Sequence, residues 1–437
     1  MASLPTAHCL LPAAMTWTYA EAERYLLSLE PLGMRFGLDR IRRLVSVLGM
    51  PQHRFASIHV VGTNGKSSVT EMVAALLEAH GESAGAYVSP HTERWSQRVR
   101  IGGAEISPRK FAAAVERVGQ SVEVVNRSLE DGESVTQFEA ATAAAFVALA
   151  QARVGFGVIE AGLGGRLDAT NVIPSRATAL TSVGLEHTEW LGDTEEEIAA
   201  EKLAVLRDHS VLVIGEVSPG VWELARRTAR ERSARLVEAA EHDPDIELAV
   251  PGAYARRNFA VAIAVVTAVL GPLDPHRVHA VAVGIELPGR MQVLDGDPPL
   301  VLDAAHNPPG AAALAEALPE AVDGAPVVAC LALLADKDAA GVVRELAPVV
   351  EMAVCTELPA KQLARAGRPA ARSLDAGELV EAVRESGLEA EVVCEPGSAV
   401  QRAVAEARAR GGAALVSGSH YLLRYAVGAV SSAGSSG

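Results

Sequence analysis

A chain of 437 residues is long enough for two or three domains, each with a buried core. Hydrophobic residues make up 49% and aromatic residues only 4%, so the cores must be built from Ala, Val and Leu, which suits helices alternating with parallel strands better than an aromatic-rich β-sandwich. The net charge of −15 argues against a nucleic-acid-binding surface and an anionic membrane partner, without forbidding an anionic ligand in a local basic site.

In chain order, residues 17–30 carry Leu and Tyr at helical spacing among charges, predicting an amphipathic helix. A loop follows at 31–39 and a second helix at 40–48. The apolar run 58–61 then meets the turn Gly62-Thr-Asn-Gly-Lys66, two hydroxyls at Ser67 and Ser68, and a helical pattern over 69–80. That order is strand, phosphate loop, helix: backbone N–H groups of Gly62, Thr63, Asn64 and Gly65 can cradle a polyphosphate, Lys66 adds a point charge, and the hydroxyls can reach Mg²⁺. The first Gly of the general pattern is Val60, so an ordinary βα turn with an exposed Lys is the competing reading.

Further on, 84–88 reads as a strand ending in Ser89-Pro-His91, 92–100 as a polar segment, and 108–125 and 135–152 as helices. Strands are predicted at 154–159, 177–183 and 210–214, and Thr194-Glu-Glu-Glu197 is a capping box opening the helix that carries Lys202. Strands separated by helices predict parallel α/β sheets. The pattern restarts after Leu287-Pro-Gly-Arg290, with strands at 300–302, 327–334, 352–356, 391–394 and 414–417. The expected domains are 1–287 and 288–430, with a low-complexity, disordered tail at 431–437.

Cys9, Cys330, Cys355 and Cys394 show neither CxxC pairing nor zinc spacing and read as small buried hydrophobes in a reducing compartment. The apolar patch at 9–15 has no positive charge before Arg24 and makes a poor signal peptide; the run 259–270 is too short for a bilayer and reads as a buried helix. The expectation is a soluble cytoplasmic protein.

Several polar residues fall just past predicted strand ends, where a parallel sheet presents its ligand. Ser89, Glu160 and His187 form a candidate Mg²⁺ or Mn²⁺ shell if their strands neighbour the phosphate-loop strand. Taken singly, Ser89 could cap a turn, Glu160 could pair with an Arg, and His187 could be structural. Gly162-Leu-Gly-Gly-Arg-Leu-Asp168 permits close backbone approach, with Arg166 and Asp168 as polar handles; a structural turn is the alternative. Lys202 lies mid-helix, where lysines are usually solvated. In the second half, Asp303, His306 and Asn307 leave one strand together, and Arg290 at the junction can reach a nucleotide.

Gly62-Thr-Asn-Gly-Lys66, Ser89-Pro-His91, Gly162-Leu-Gly-Gly-Arg-Leu-Asp-Ala-Thr-Asn171, His187-Thr-Glu-Trp-Leu-Gly192, Pro288-Gly-Arg290, Asp303-Ala-Ala-His-Asn-Pro308, Asp336-Lys-Asp338 and Gly418-Ser419 follow one another in order. Together, over residues 20 to 425, they resemble the folylpolyglutamate synthase/dihydrofolate synthase family of the Mur ligase superfamily. The resemblance implies an N-terminal P-loop ATPase domain and a C-terminal Rossmann-like α/β domain with the active site between them. It implies ATP as cosubstrate and two Mg²⁺ ions, L-glutamate with dihydropteroate or reduced folates as substrates, and a monomer. Lys66 and its loop would hold the phosphates; Ser89, Glu160 and His187 would ligate Mg²⁺; Lys202 would be carbamoylated and help hold a second ion. Asn258, Arg290 and Asp303 would contact the nucleotide, His306 would lie beside the reaction centre, and the pterin would lie near Arg35, Phe138, Arg166 and Asp168. The sequence departs from the family at Ser67 (usually Gly), at Gln97 (often Glu) and at Tyr254-Ala255 (often His-Gln). A ligase for another carboxylate, or an inactive nucleotide-binding relative, are the alternatives.

Overall fold

The computed structural model describes residues 17–29, 37–130, 132–240, 243, 246–368 and 370–433. Two sheets organise the chain. The first has eight strands: β1 (Ala56–Val61), β2 (Ala84–Tyr87), β3 (Val99–Ile101), β4 (Ala104–Glu105), β5 (Phe156–Glu160), β6 (Ser175–Leu180), β7 (Val211–Ile214) and β8 (Arg235–Glu238). Their order is β4-β3-β2-β5-β1-β6-β7-β8, parallel from β2 to β8, with β3 and β4 an antiparallel edge. The second has six: β9 (Gln292–Leu294), β10 (Leu300–Leu302), β11 (Val327–Leu331), β12 (Met352–Cys355), β13 (Glu389–Val392) and β14 (Ala413–Ser417), in the order β13-β12-β11-β14-β10-β9, where only β9 runs antiparallel. The fold is thus α/β with two sheets, as the alternating pattern predicts.

The central strands read as continuous apolar runs because helices cover both faces. The chain leaves β1 towards β2 on one side and reaches β6 on the other, so the crevice at a switch in strand order opens at the C-terminal end of β1. Parallel register places Val60 opposite both Glu160 and Ala179, which brings Gly62, Glu160 and Thr181 to one edge.

The two sheets share a core. The helix Ala253–Leu270 packs on the helix that follows β1, Lys66–Ala79, and on Pro308–Ala321 of the second half. One apolar cluster therefore runs from Ile58 and Val213 through Phe259 and Val265 to Leu314, Val301 and Leu331. The Arg256–Glu320 ion pair, 3.0 Å, lies at the edge of the same junction.

Most predicted elements appear within a few residues of their expected bounds, and Thr194 and Glu197 form the capping box of the Glu195–Leu203 helix. Four differences have physical causes. The apolar run at 259–270 belongs to an 18-residue helix starting at Ala253, the one described helix long and apolar enough to cross a membrane; it is instead packed between the two sheets. The polar segment 92–100 holds a tight turn at Trp95–Arg98 and the start of β3, whose short strands give no alternation to read. The final helix, His420–Ala433, extends three residues into the predicted tail. Cys330 and Cys355 are buried, but Cys394 is exposed at the end of a short edge strand; Cys9 lies outside the described residues.

Phe259 is fully buried at the junction of both halves. Phe259→Ala should cost about 3–5 kcal/mol in denaturant titration. A loss below about 1 kcal/mol would contradict a shared, tightly packed core.

Candidate active site

One cavity of about 1320 Å³ lies where the C-terminal ends of β1, β5 and β6 face the second sheet. Every predicted site residue among the described ones except Asn307 lines it; Arg35 lies outside the described residues.

The phosphate loop is held in shape from the next strand. Thr63 N–H donates to Ser182 O (2.8 Å), Asn64 N–H to Ser182 Oγ (3.1 Å), and the Thr181 hydroxyl to Asn64 O (2.6 Å). Gly65 has φ +81°, and a Cβ there would sit 2.5 Å from Asn258 Oδ1, so glycine is required on both counts. Two ammonium groups converge on one carbonyl: Lys66 Nζ is 3.1 Å and Lys202 Nζ 2.9 Å from Gly62 O. Lys202 is only 4% exposed, contrary to the usual solvated helical lysine, because the helix Glu195–Leu203 packs its last turn beneath the Gly-rich loop. Burial first, and Lys66 second, draw its pKa down to about 7.

Glu160, 2% exposed, ends β5 beside this loop. The Ser67 hydroxyl lies 3.0 Å from each of its carboxylate oxygens, and Ser89 N–H donates to Oε2 at 3.0 Å. The extra hydroxyl at 67 thus faces Glu160, while Ser68 is buried in the helix. Burial raises the Glu160 pKa; Lys66, Ser89 and Ser67 oppose that rise. Among the described residues no cation pairs with Glu160 within 4 Å, so the Arg-pairing alternative does not hold. His187 begins the short helix Thr188–Leu191 in a left-handed conformation, φ +52°, and burial lowers its pKa to about 4. Hydroxyl and carboxylate are hard oxygen donors and the neutral imidazole a borderline one, a set that fits Mn²⁺ or, where oxygen donors complete the shell, Mg²⁺. No group of three or more His, Cys, Asp or Glu clusters among the described residues, so phosphate oxygens and water would have to complete any such shell.

The Gly-rich block turns out to be held by its own polar residues. Asp168 accepts from Gly162 N (3.0 Å), Leu163 N (2.9 Å) and Thr170 N (2.9 Å), as well as from the Thr170 hydroxyl. Asn171 Nδ2 donates to Arg166 O (2.8 Å) and its Oδ1 accepts from Arg207 (2.7 Å). Arg166 pairs with Glu201 (2.8 Å) at the cavity mouth. Asp168 is therefore first a loop organiser rather than a free polar handle. Phe138 packs against Gly162, where a Cβ would collide with its ring.

From the second sheet, Asp303 ends β10 and accepts from Met291 N and Ala305 N, both at 2.8 Å. His306 Nδ1 lies 2.8 Å from Ala304 O, and its Nε2 is 3.4 Å from Glu186 Oε1. Glu186 also meets Lys337 Nζ at 3.2 Å. Burial alone would raise the Glu186 pKa, but His306, Lys337 and Lys66 hold it well below the usual carboxylate range. Arg290 contacts His420 at 3.3 Å, and burial and that neighbour keep the imidazole neutral. Asn307 caps the helix Pro308–Ala321 through Gly310 N (2.8 Å) and exchanges amide hydrogen bonds of 3.3 and 3.2 Å with Asn64 of the phosphate loop.

Sequence reasoning missed Glu186 and His420. Glu186 sits in the quoted Gly184-Leu-Glu-His187 run, and His420 immediately follows Gly418-Ser419, so proximity to a motif was the available signal. One departure finds an explanation: the Gln97 side-chain oxygen accepts from Thr92, Glu93 and Arg94 N–H groups, as a Glu would; Tyr254 lines the cavity with a buried hydroxyl lacking a partner among the described residues, and nothing in the structure explains it.

Lys202 also sets a pH dependence. Its folded pKa of about 7 lies below the model-peptide value of 10.5, so the unfolded chain binds more protons between those limits and stability rises with pH across them. Wild type should gain stability relative to Lys202→Met between about pH 7 and 10 in parallel denaturations. A flat difference would contradict a buried, neutral-leaning amine.

The family description "Mur ligase middle domain" matches residues 60–245, and "Mur ligase, glutamate ligase domain" matches residues 289–420. The dihydrofolate synthase/folylpolyglutamate synthase of Mycobacterium tuberculosis is 34% identical over 358 residues, 73% of this chain and 74% of that one. The Mycobacterium tuberculosis folylpolyglutamate synthase solved with ADP superposes with a TM-score of 0.84 at 30% identity, over 94% of this chain and 97% of that one. A bifunctional folylpolyglutamate synthase/dihydrofolate synthase solved with Mn, AMPPNP and L-glutamate gives 0.80 at 29% identity, over 96% and 100%. This chain belongs to the dihydrofolate synthase/folylpolyglutamate synthase family of Mur ligases.

Proposed function

We propose that this protein is an ATP-dependent ligase that joins L-glutamate to dihydropteroate, giving dihydrofolate, and to folyl-glutamates, giving polyglutamates, acting as a cytoplasmic monomer. The observation that carries this reading is the shared cavity. A phosphate loop with a buried carboxylate forms one wall, and Asp303, His306 and Arg290 form the other.

A carboxylate is a poor acyl donor, so its oxygen attacks the γ-phosphorus of ATP, giving an acyl phosphate and releasing ADP. Lys66, the amides of Gly62 and Gly65 and those of Ser67 and Ser68 at the start of the helix receive the phosphates, while Thr63 and Asn64, whose N–H groups are spent on Ser182, shape the loop around them. Asn258, Arg290 and Asp303 hold the nucleoside end. A divalent cation held by Ser89, Glu160 and His187, with a second beside a carbamoylated Lys202, would supply neutralisation of charge on the transferred phosphoryl group. Phe138, Arg166 and the Asp168 loop flank the pterin, a role also assigned to Arg35, which lies outside the described residues.

The glutamate α-amine then attacks the acyl carbon, and phosphate leaves from the tetrahedral intermediate. The His306 Nδ1–H is committed to Ala304 O, so Nε2, which faces Glu186 Oε1 at 3.4 Å, is the nitrogen that exchanges the amine's proton. Glu186, held anionic, gathers Lys337 and His306 from the second sheet onto the first, which keeps water from the acyl phosphate while the walls stay together.

Phosphate release should require ATP and glutamate together with either dihydropteroate or a mono-glutamyl folate, and Lys66→Ala should lower it on the order of 10²–10³-fold with the fold intact. Wild-type-like ligation by that variant would sink the assignment of the loop.

A further inference from the structure

Beneath the Gly-rich loop lies a buried histidine that none of these roles uses. His59 stands in β1, among Ser57, Ile58, Val60 and Val61, with no exposed surface. Its Nε2 is 2.8 Å from Thr170 Oγ1, and Thr170 is equally buried. The Thr170 hydroxyl donates to Asp168 Oδ1, and Asp168 Oδ2 accepts from the amides of Gly162 and Leu163. A line of three side chains thus runs from the interior of the phosphate-loop strand to the backbone that immediately follows Glu160 and Ala161.

The proton inventory fixes its direction. Thr170 has one hydroxyl proton and spends it on the carboxylate, so His59 must donate Nε2–H to Thr170 Oγ1. The lone pair then falls on Nδ1, which has no partner among the described residues. An aliphatic side chain in this strand would avoid that desolvation cost, so the imidazole makes sense here only through what Nε2–H holds. Apart from the two lysines on Gly62 O, the phosphate loop hangs on Thr181, Ser182 and Gly184, and none of these five residues belongs to the line. What the line does hold is the wall of Gly162, Leu163 and Asp168 that Phe138 faces.

We propose that His59 is a positioning residue for the carboxylate substrate: acting through Thr170, it fixes the Asp168 carboxylate and with it the Gly162 and Leu163 backbone at the acceptor end of the cavity. This rests on the ligase reading above and concerns the acceptor end rather than the nucleotide end.

The test compares His59→Leu, His59→Gln, Thr170→Val and the Leu/Val double variant. Steady-state constants for dihydropteroate and ATP would be joined by calorimetric titration of dihydropteroate onto enzyme saturated with AMPPNP. His59→Leu and Thr170→Val should each raise the acceptor KM and calorimetric Kd about tenfold, leaving the KM for ATP within about twofold. His59→Gln should recover most of the loss, because its amide places an N–H donor near the position of Nε2. The double variant should be no worse than the weaker single one, because both changes break one line. Unchanged acceptor constants, equal weakening of ATP and acceptor, multiplying effects, or failure of Gln to rescue would each overturn the inference. If His59→Leu does not fold, Thr170→Val, a hydroxyl-to-methyl exchange of equal size, decides alone. Wild-type protein without glutamate-dependent phosphate release would instead overturn the ligase reading.

Discussion

Two lysine ammonium groups share one backbone carbonyl at the heart of this protein. Lys66 and Lys202 both donate to Gly62 O, so the same groups hold the loop and place positive charge beside it. Burial first, and the neighbouring Lys66 charge second, lower the pKa of Lys202. A polyphosphate at the loop would meet both amino groups at once. The glycine at 65 and the hydroxyls of Thr181 and Ser182 make the arrangement possible by letting neighbouring strand ends approach closely.

The second sheet meets this cradle at named points. Asn307 reaches Asn64 at the tip of the phosphate loop, and its Oδ1 also caps its own helix, so one oxygen serves two structures. Glu186 collects Lys337 and His306 from across the cavity. Behind these polar contacts the apolar junction around Phe259 makes both sheets parts of one core. A reaction that passes through a hydrolysable intermediate needs walls held close together, and a polar meeting line over a shared apolar core provides them.

Much of this was legible in the sequence. The strand–loop–helix order around Gly62, the alternating pattern on either side of Leu287, and the strand-end positions of Ser89, Glu160, His187 and Asp303 follow from periodicity and from where parallel sheets present ligands. Other features were not legible for physical reasons. Lys202 looks solvated in sequence because its burial comes from a tertiary contact with a glycine loop far away in the chain. Asp168 looks like a ligand-binding carboxylate, yet its acceptor capacity is largely spent on the amides of its own loop, a closure that depends on the loop's folded shape. His59 sits in a strand whose hydrophobic pattern hides it, and its partner Thr170 is 111 residues away. The hairpin of β3 and β4 is too short for a period-two signal to develop.

The central claim is that the γ-phosphate goes to a substrate carboxylate before the amine attacks. Dihydropteroate labelled with ¹⁸O in its carboxylate tests this in one measurement, by mass analysis of the inorganic phosphate formed with ATP and L-glutamate. An acyl-phosphate route predicts that one carboxylate oxygen leaves with the phosphate, so the phosphate carries one ¹⁸O for each amide bond made. Unlabelled phosphate accompanying amide formation would contradict the account.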